Sequence, residues 1–243
     1  MLKQELIYAA EEFIYTELDN IHNVIPFYEA MRLFQALKVF KKRKDPDNKA
    51  LAILWLMETG ARPSEIENRN IKELYFKKYW IWSPRKNQKG KRTAKLSDFF
   101  LKELDNYLEK GKYSSTDLFG IKGESLTRYI NKNIRPILGG DWLKKYPKID
   151  KYGVMKWNYI YQIKNLRHNY QTFNWHKYVP EFGEDLALMK VSKEMKHSSK
   201  RITGEHYIEH AKALGLEKRH REMNLSDVYQ NNNQLSLTLF ESR

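Results

Sequence analysis

The chain has 243 residues, which is enough for one sizeable hydrophobic core. Lysine and arginine number 44 against 30 aspartate and glutamate, so the formal net charge is +14 and a polyanionic partner is expected, with nucleic acid the first candidate. The absence of cysteine excludes disulfides and thiolate metal sites, and 14% aromatic residues argue against a disordered basic tail.

The first part of the chain is predicted to be helical. Apolar residues at spacings of three and four predict an amphipathic helix over residues 1–22. Pro26 suits the first turn of a second helix. The apolar stripe of that helix consists of Phe27, Met31, Phe34 and Leu37. The basic run 41–44 at its end is either a solvated helix end or a phosphate contact.

The next fifty residues predict a buried helix followed by a small sheet. The sequence Asp45-Pro46-Asp47 is typical of a helix start, and the helix is expected to run from Ala50 to Glu58. Gly60 is expected to end it. The segments Tyr75–Ser83 and Arg92–Leu96 predict antiparallel strands that a basic turn joins.

The remainder of the chain is predicted to be mainly helical. A helix begins at Ser97 and stops at Gly111, and segment 139–159 is expected to be irregular. Further helices are expected at about 125–134, 161–173, 184–196 and 203–214. The tail is interpreted as an asparagine-rich linker that ends in the apolar segment Leu235–Phe240.

Four segments carry residues suited to phosphodiester chemistry. Splitting a phosphodiester without a metal requires a nucleophile, donors around the non-bridging oxygens and an acid for the leaving oxygen. No dense cluster of aspartate and glutamate stands out in the sequence, so a metal-independent route is favoured. The four segments are Thr59–Ile66, Pro84–Thr93, Lys164–His168 and Met195–Tyr207.

In this order, the segments resemble the motifs of the tyrosine recombinases, the family of phage integrases and Xer proteins. Thr59–Glu65 is similar to the family's Thr-Gly-x-Arg-x-x-Glu motif, and Met195–Ser199 is similar to its Leu-Gly-His-Ser-Ser box. Lys164 stands where the family's His-x-x-Arg box has histidine, a feature similar to integrases of archaeal spindle-shaped viruses. Lys196 replaces the usual glycine, and the interval from histidine to tyrosine is one residue longer than common.

The resemblance implies a role for each matching residue. Arg62 and Arg167 hold the scissile phosphate through their planar donor forks. Lys164 donates a hydrogen bond to a phosphate oxygen, although it is a poor base at neutral pH. Tyr207 attacks phosphorus to form a covalent 3′-phosphotyrosine link, and His197 orients the phosphate or supports the tyrosine. Tyr229 is an alternative nucleophile.

The basic turn is expected to supply the general acid. The resemblance favours Lys86 for this role, with Lys89 and Lys91 as alternatives because the register of the turn is open. Glu65 is expected to brace the local structure, and His168 is expected to be structural. The residues predicted to contact DNA are Lys89, Lys91, Arg92, Lys200 and Arg201.

The resemblance also implies the fold, the domains and the partners. We expect an α+β, mostly helical tyrosine-recombinase catalytic fold with a small antiparallel sheet. Residues 1–25 form a short or truncated helical region, 26–217 the catalytic domain, and 218–243 a tail exchanged between subunits. The expected partners are double-stranded DNA and further copies in a dimer or tetramer, with no cofactor, metal or ATP. The expected source is a virus or mobile element.

The sequence also predicts a location inside a host cell and leaves three alternative functions open. No apolar run approaches the roughly 20 residues of a membrane span, and the amino terminus lacks a signal-peptide pattern, so the cytoplasm or nucleoid of a host is expected. A type IB topoisomerase and a non-catalytic DNA-binding protein of the same fold are the alternatives. An RNA-binding protein is a third, without a recognisable module signature. His206 and His210 are interpreted as paired surface histidines and not as zinc ligands.

Overall fold

The computed structural model describes most of the central part of the chain. The described residues are 25–41, 48–84, 90–111, 113–114, 116–150 and 152–196. The helices predicted at 1–22 and 203–214 and the tail 218–243 lie outside these residues and stay predictions. No helix among the described residues is both long and apolar enough to cross a membrane.

Two helices open the described structure. Helix α1 spans Phe27–Lys41 and helix α2 spans Asn48–Thr59. Every residue of α2 from Ala50 onward is buried, because an unbroken apolar run without glycine or proline favours a helix at the centre of a core. The predicted helices from Pro26 and from Ala50 to Glu58 are therefore confirmed. The face of α1 that packs into the core carries Ala30, Leu33, Phe34, Ala36 and Leu37.

A small antiparallel sheet packs on α2, as predicted, but it has three strands because the predicted strand Tyr75–Ser83 contains a turn. Its strands, in the order β1-β2-β3, are β1 (Leu74–Tyr75), β2 (Tyr79–Trp82) and β3 (Arg92–Lys95). Alternate residues of β2 are buried, so Trp80 and Trp82 both face the core. Their rings lie 5.8 and 5.3 Å from the ring of Trp55 in edge-to-face contacts.

Three helical segments follow the sheet. Helix α3 spans Asp98–Glu109 and begins at Ser97, whose hydroxyl accepts a hydrogen bond from the Phe100 amide. Helix α4 spans Gly123–Tyr129 and continues through a π-helical turn, Ile130–Ile134. Helix α5, Arg135–Leu138, follows directly. The predicted helices at 97–111 and 125–134 are confirmed.

The prediction of an irregular segment at 139–159 is wrong. The segment contains a two-stranded antiparallel ribbon of β4 (Lys145–Ile149) and β5 (Met155–Tyr159). The sequence of β5, Met-Lys-Trp-Asn-Tyr, alternates apolar and polar residues, and this was the available sign of a strand even though most of β5 is exposed. Pro147 is compatible with a strand here because both strands of a two-stranded ribbon are edge strands.

The last described helix is folded back on itself. Helix α6 spans Asn165–Glu194, with a break in helical geometry at Gly183, where φ is 72°. The two halves pack together, since Trp175 in the first half clusters with Ala187 and Val191 in the second. The two helices predicted at 161–173 and 184–196 are thus both present, but the first half continues past its predicted end.

Candidate functional site

The site is built on the turn that follows α2. Gly60 adopts φ of +59°, which favours glycine, and its amide donates to Leu56 O at 2.9 Å. A Cβ atom at this position would lie only 2.4 Å from the ring of Tyr170 on α6. The turn therefore lies directly against α6. Arg62 leaves it in an extended conformation, as expected for a residue before proline.

A buried carboxylate orients Arg62. The Nη1 atom of Arg62 lies 3.1 Å from Glu65 Oε1, and 31% of the Arg62 side chain is exposed whereas only 1% of Glu65 is. The other oxygen of Glu65 accepts from Trp82 Nε1 at 3.2 Å and from Arg92 Nη1 at 3.4 Å. Glu65 thus fixes Arg62 from behind, in line with its expected bracing role.

Arg167 is held at the start of α6. Its side chain is buried, and it donates from Nη1 to Gly60 O at 2.8 Å and from Nη2 to Met195 O at 3.3 Å. The guanidinium therefore ties the turn after α2 to the end of α6. Lys164 lies one turn earlier, where its carbonyl accepts from the Arg167 amide at 3.2 Å, and its side chain is exposed.

These cations line one cleft. Arg62, Lys164 and Arg167 share a cleft of about 530 Å³ that lies between the turn after α2, α4 and the start of α6. The other lining residues are Pro63, Ser64, Glu67, Gly123, Glu124, Thr127 and His168. The wall next to α4 is closely packed, because a Cβ on Gly123 would lie 2.6 Å from Pro63 O. Residues about a hundred positions apart in sequence thus meet around one open space.

The sequence analysis left part of this lining unassigned. Glu67, Glu124 and Thr127 belong to no motif, and their place in the cleft follows from how α4 packs on the Pro63 loop. Glu67 also accepts from the Gly123 amide at 3.2 Å, which joins the two walls. His168 was expected to be structural, and it lines the cleft next to Arg167; only its adjacency to the basic box could have indicated that place.

Arg92 corrects the sequence interpretation. It was expected on the DNA-facing surface, but only 2% of it is exposed. Its guanidinium donates to Thr59 O at 2.7 Å and to Glu194 O at 3.3 Å, and it lies 4.6 Å from the ring of Trp82. Burial lowers the pKa of Arg92, while the Glu65 carboxylate opposes that shift. Arg92 is a structural cation inside the fold, because strand alternation puts it on the buried face of β3.

The end of α6 explains the lysine in the Leu-Gly-His-Ser-Ser-like box. Lys196 directly follows the helix C-cap and has φ of 53°, the left-handed conformation that glycine adopts most easily. Its ammonium also lies 3.5 Å from where a Cβ on Gly90 would be. The end of α6 therefore lies close to the basic turn. Lys91, which follows Gly90 in the basic turn, is exposed.

Several predicted site residues lie outside the described structure. They are Lys86, Lys89, His197, Lys200, Arg201, Tyr207 and the alternative nucleophile Tyr229. His206 and His210 lie outside it too. Within the part of the chain that the structure describes, no group of three or more histidine, aspartate and glutamate side chains is placed to hold a metal ion.

A half-buried tyrosine and glutamate pair joins the two halves of α6. Tyr178 donates to Glu194 Oε1 at 2.7 Å across the two halves of α6. Burial raises the pKa of Glu194, and burial together with this carboxylate raises the pKa of Tyr178. Burial of its hydroxyl raises the pKa of Tyr170 to about 12. Tyr170 and Tyr178 are thus kept neutral, which is the reverse of what a phenolate nucleophile needs.

Comparison with known proteins decides the fold. No protein-family model matches the chain, and no curated protein is significantly similar to it in sequence. The crystal structure of XerA recombinase is similar at a TM-score of 0.52 and 19% identity, covering 83% of this chain and 66% of that one. The fold is that of a tyrosine recombinase catalytic domain. The predicted fold class is confirmed.

A second recombinase structure is more distant. The Tn1549 transposon integrase in complex with transposon right end DNA matches at a TM-score of 0.43 and 14% identity, covering 76% of this chain and 62% of that one. The chain thus spans slightly less than two thirds of the length of each of these two solved structures. Arg62, Lys164 and Arg167 line one cleft of this fold, and Arg167 is anchored there by its hydrogen bond to Gly60 O.

Proposed function

We propose that this protein is a tyrosine recombinase, a site-specific recombinase or integrase that cleaves and rejoins DNA strands. The proposal is carried by one observation, the meeting of Arg62, Lys164 and Arg167 around a single cleft. These residues come from two separate sequence segments, Thr59–Ile66 and Lys164–His168. Their convergence supports a site for one multiply charged oxyanion, and the scissile phosphate of DNA is such a group.

The two arginines clamp the phosphate in different ways. Arg167 is anchored by the carbonyls of Gly60 and Met195, so its position is set before substrate binds. Arg62 is partly exposed and is aimed by Glu65 from behind. Preorganised cations of this kind stabilise the charge that grows on the non-bridging oxygens when phosphorus is attacked. Lys164 adds a third donor from the rim.

Tyr207 supplies the nucleophile in this proposal. Its phenolic oxygen attacks phosphorus, the bond from phosphorus to the 5′ oxygen breaks, and Lys86 or a neighbouring lysine of the basic turn gives that oxygen its proton. The reverse attack by a 5′-hydroxyl rejoins the strand and releases Tyr207. The position of Met195 supports this assignment, since its carbonyl accepts from Arg167 and His197 follows two residues later.

The wider biological role also stands as a proposal. We place the catalytic domain at 26–217, DNA contacts at the lysines of the basic turn and at Lys200 and Arg201, and subunit exchange in the tail 218–243. Lys164 in the histidine position supports an affiliation with archaeal virus integrases. Double-stranded DNA is the substrate. No ATP is needed, because each bond broken is replaced by one of similar energy, and no metal ion is needed in this proposal, because the cations of the cleft stabilise the charge on the phosphate.

The proposal is tested by trapping the intermediate. The full chain is incubated with a library of nicked duplexes from which the 5′-hydroxyl strand diffuses away after cleavage, and denaturing gels then separate covalent adducts. The adduct should form without added metal, map to Tyr207 by peptide mass, and vanish in Tyr207→Phe. The matched variant Tyr229→Phe should retain it.

Three outcomes would contradict the proposal. An adduct that maps to Tyr229, or no adduct with any library member, contradicts the assigned chemistry. Relaxation of supercoiled plasmid without exchange between duplexes would indicate the type IB topoisomerase alternative.

A further inference from the structure

The ribbon β4–β5 exposes large apolar side chains to solvent. Trp157 is 63% exposed, Met155 59%, and Tyr152 at the turn 75%. Val154 adds another exposed apolar residue between them. Apolar side chains that cluster on a surface commonly mark a binding site, because leaving them in water gains no burial energy. Isolated exposed apolar residues need no such explanation, but these four are nearly consecutive.

The base of the ribbon is held rigidly. The buried guanidinium of Arg135 donates to the carbonyls of Tyr161 and Trp142, the latter at 2.6 Å, and lies 3.8 Å from the ring centre of Tyr159. Trp142 in turn donates from Nε1 to Glu29 Oε2 at 2.7 Å on α1. Burial lowers the pKa of Arg135 to about 10, so it stays charged at neutral pH. The ribbon therefore projects from a fixed base.

The tip of the ribbon is also ordered. One oxygen of Asp150 accepts from the amides of Tyr152 and Val154 at 2.9 and 3.0 Å, which closes the turn. Its other oxygen lies 2.6 Å from Lys156 Nζ. Strands of five residues are roughly 17 Å long, so the structure presents a short, stiff arm and not a loose loop.

The two faces of the arm differ in chemistry. In the antiparallel register Pro147 pairs with Trp157, and these residues share the apolar face with Met155. Lys148 pairs with Lys156 on the opposite face, and Lys145 pairs with Tyr159 at the base of the apolar face. By sequence, residues 141–159 carry five lysines against two aspartates. The arm is therefore basic and apolar at once.

We propose that the β4–β5 ribbon is a second DNA-binding element, which lies in the major groove of the duplex beside the cleft. The major groove is about 12 Å wide and admits a two-stranded ribbon. Lys148 and Lys156 reach phosphates of one strand, while Trp157 and Met155 pack on the sugars and thymine methyl groups of the other. The arm is tied to the cleft in sequence, since Lys164 follows β5 by five residues, with Tyr161 and Ile163 buried between them.

Charge decides between DNA and a second copy of this chain. Two identical ribbons that meet through their apolar faces keep Lys148 and Lys156 on their outer faces, but each ribbon segment carries five lysines against two aspartates, and like net charges oppose association. A polyanion instead gains from each lysine through the release of counterions. The inference rests on the proposed function only in taking DNA as the polyanion, because binding is measured without cleavage.

Binding to a 40-base-pair duplex tests the ribbon in the cleavage-deficient background Tyr207→Phe, by fluorescence anisotropy over a range of salt concentrations. Lys148→Ala with Lys156→Ala should weaken binding and lower the slope of log affinity against log salt by about 1.8, since each phosphate contact contributes about 0.9. Trp157→Ala should weaken binding about tenfold with the slope unchanged. The matched control, Lys102→Ala with Lys110→Ala, removes two exposed lysines of the α3 end and should leave the slope unchanged.

The outcomes separate this inference from the proposed function. Ribbon variants that bind like the control overturn the ribbon proposal, even where the unmodified chain forms its Tyr207 adduct. Reduced binding by the ribbon variants supports it, even where no adduct is found. A ribbon variant that changes the sedimentation of the free protein, with DNA affinity unchanged, would assign the ribbon to protein contacts and also overturn it. Thermal melting of each variant checks that it is folded.

Discussion

Positively charged side chains lie in opposite surroundings at the turn after α2 and on the β4–β5 ribbon. Beside the turn, Arg92 and Arg167 are buried and donate hydrogen bonds to backbone carbonyls at the ends of α2 and α6. On the ribbon, Lys148 and Lys156 are exposed. A buried arginine is held in place by backbone carbonyls before a ligand binds, whereas an exposed lysine can reorient toward a ligand. The position of a cation in the fold, and not its presence in a basic run, therefore determines what it does.

The largest loss of stability is expected for a substitution of Arg92. Arg92→Met removes the donor that Glu65 shares with Trp82 and leaves the carbonyls of Thr59 and Glu194 without it. Breaking a buried ion pair on one side costs about 3–5 kcal/mol of unfolding free energy. Urea denaturation measures this cost. On the ribbon, the matched change Lys148→Met should stay within about 0.5 kcal/mol, and similar losses for both variants would contradict the contrast.

Two glycines sharpen the same contrast. Gly60 and Gly153 both have positive φ, but a Cβ on Gly60 would collide with the ring of Tyr170, whereas a Cβ on Gly153 meets nothing within 4 Å. Gly60→Ala should cost about 3 kcal/mol, the sum of backbone strain and overpacking. Gly153→Ala should cost about 1–2 kcal/mol from strain alone. Calorimetric melting compares the stability of the two variants. Equal losses of stability would show that the turn at Gly60 and the Tyr170 ring can move apart.

A smaller and opposite effect is expected at the end of α6. Lys196 has φ of 53°, so Lys196→Gly relieves a left-handed conformation and should stabilise the fold by about 1 kcal/mol. Chemical denaturation measures this gain. Lys193→Gly, inside the last turn of α6, is the control and should destabilise by a similar amount. Destabilisation by both variants would contradict the assigned role of position 196.

The smallest expected effect is a dependence of stability on pH. Burial raises the pKa of Glu194 above its usual value near 4.5 in the folded state. As pH rises, the unfolded chain loses this proton before the folded protein does. The stability that the protonated carboxyl contributes below about pH 4.5 is therefore lost as pH rises through the higher pKa of the folded state. Glu194→Gln should remove that decline from a series of urea titrations. An unchanged pH profile in this variant would contradict the assigned burial.

The sequence predicts the interior elements better than the surface ones. The apolar run from Ala50 and the stop at Gly60 have one physical solution, a buried helix with a left-handed end. The ribbon gives a weaker signal, because the alternation of apolar and polar residues in β5 covers only five positions and Pro147 interrupts the partner strand.

The sequence predicts the cations of the candidate site but not the other residues that line the cleft. Resemblance to the recombinase motifs identified Arg62, Lys164 and Arg167, which the fold brings to one cleft. The same reasoning placed Arg92 on the surface, because it follows a basic run. Its period-two relation to Ala94 was the available sign of burial. Glu124 and Thr127 enter the cleft only through the packing of α4, which no local pattern encodes.

The most direct test of the central claim is the single-turnover rate of adduct formation at saturating DNA in Arg62→Ala. Arg62 is the partly exposed cation of the cleft, so its loss should spare folding and slow cleavage by about 10²–10³-fold. The control Arg128→Ala removes an exposed arginine of α4 outside the cleft lining and should leave the rate unchanged. An Arg62→Ala rate equal to that of the control would contradict the claim that this cleft is where the DNA phosphate reacts.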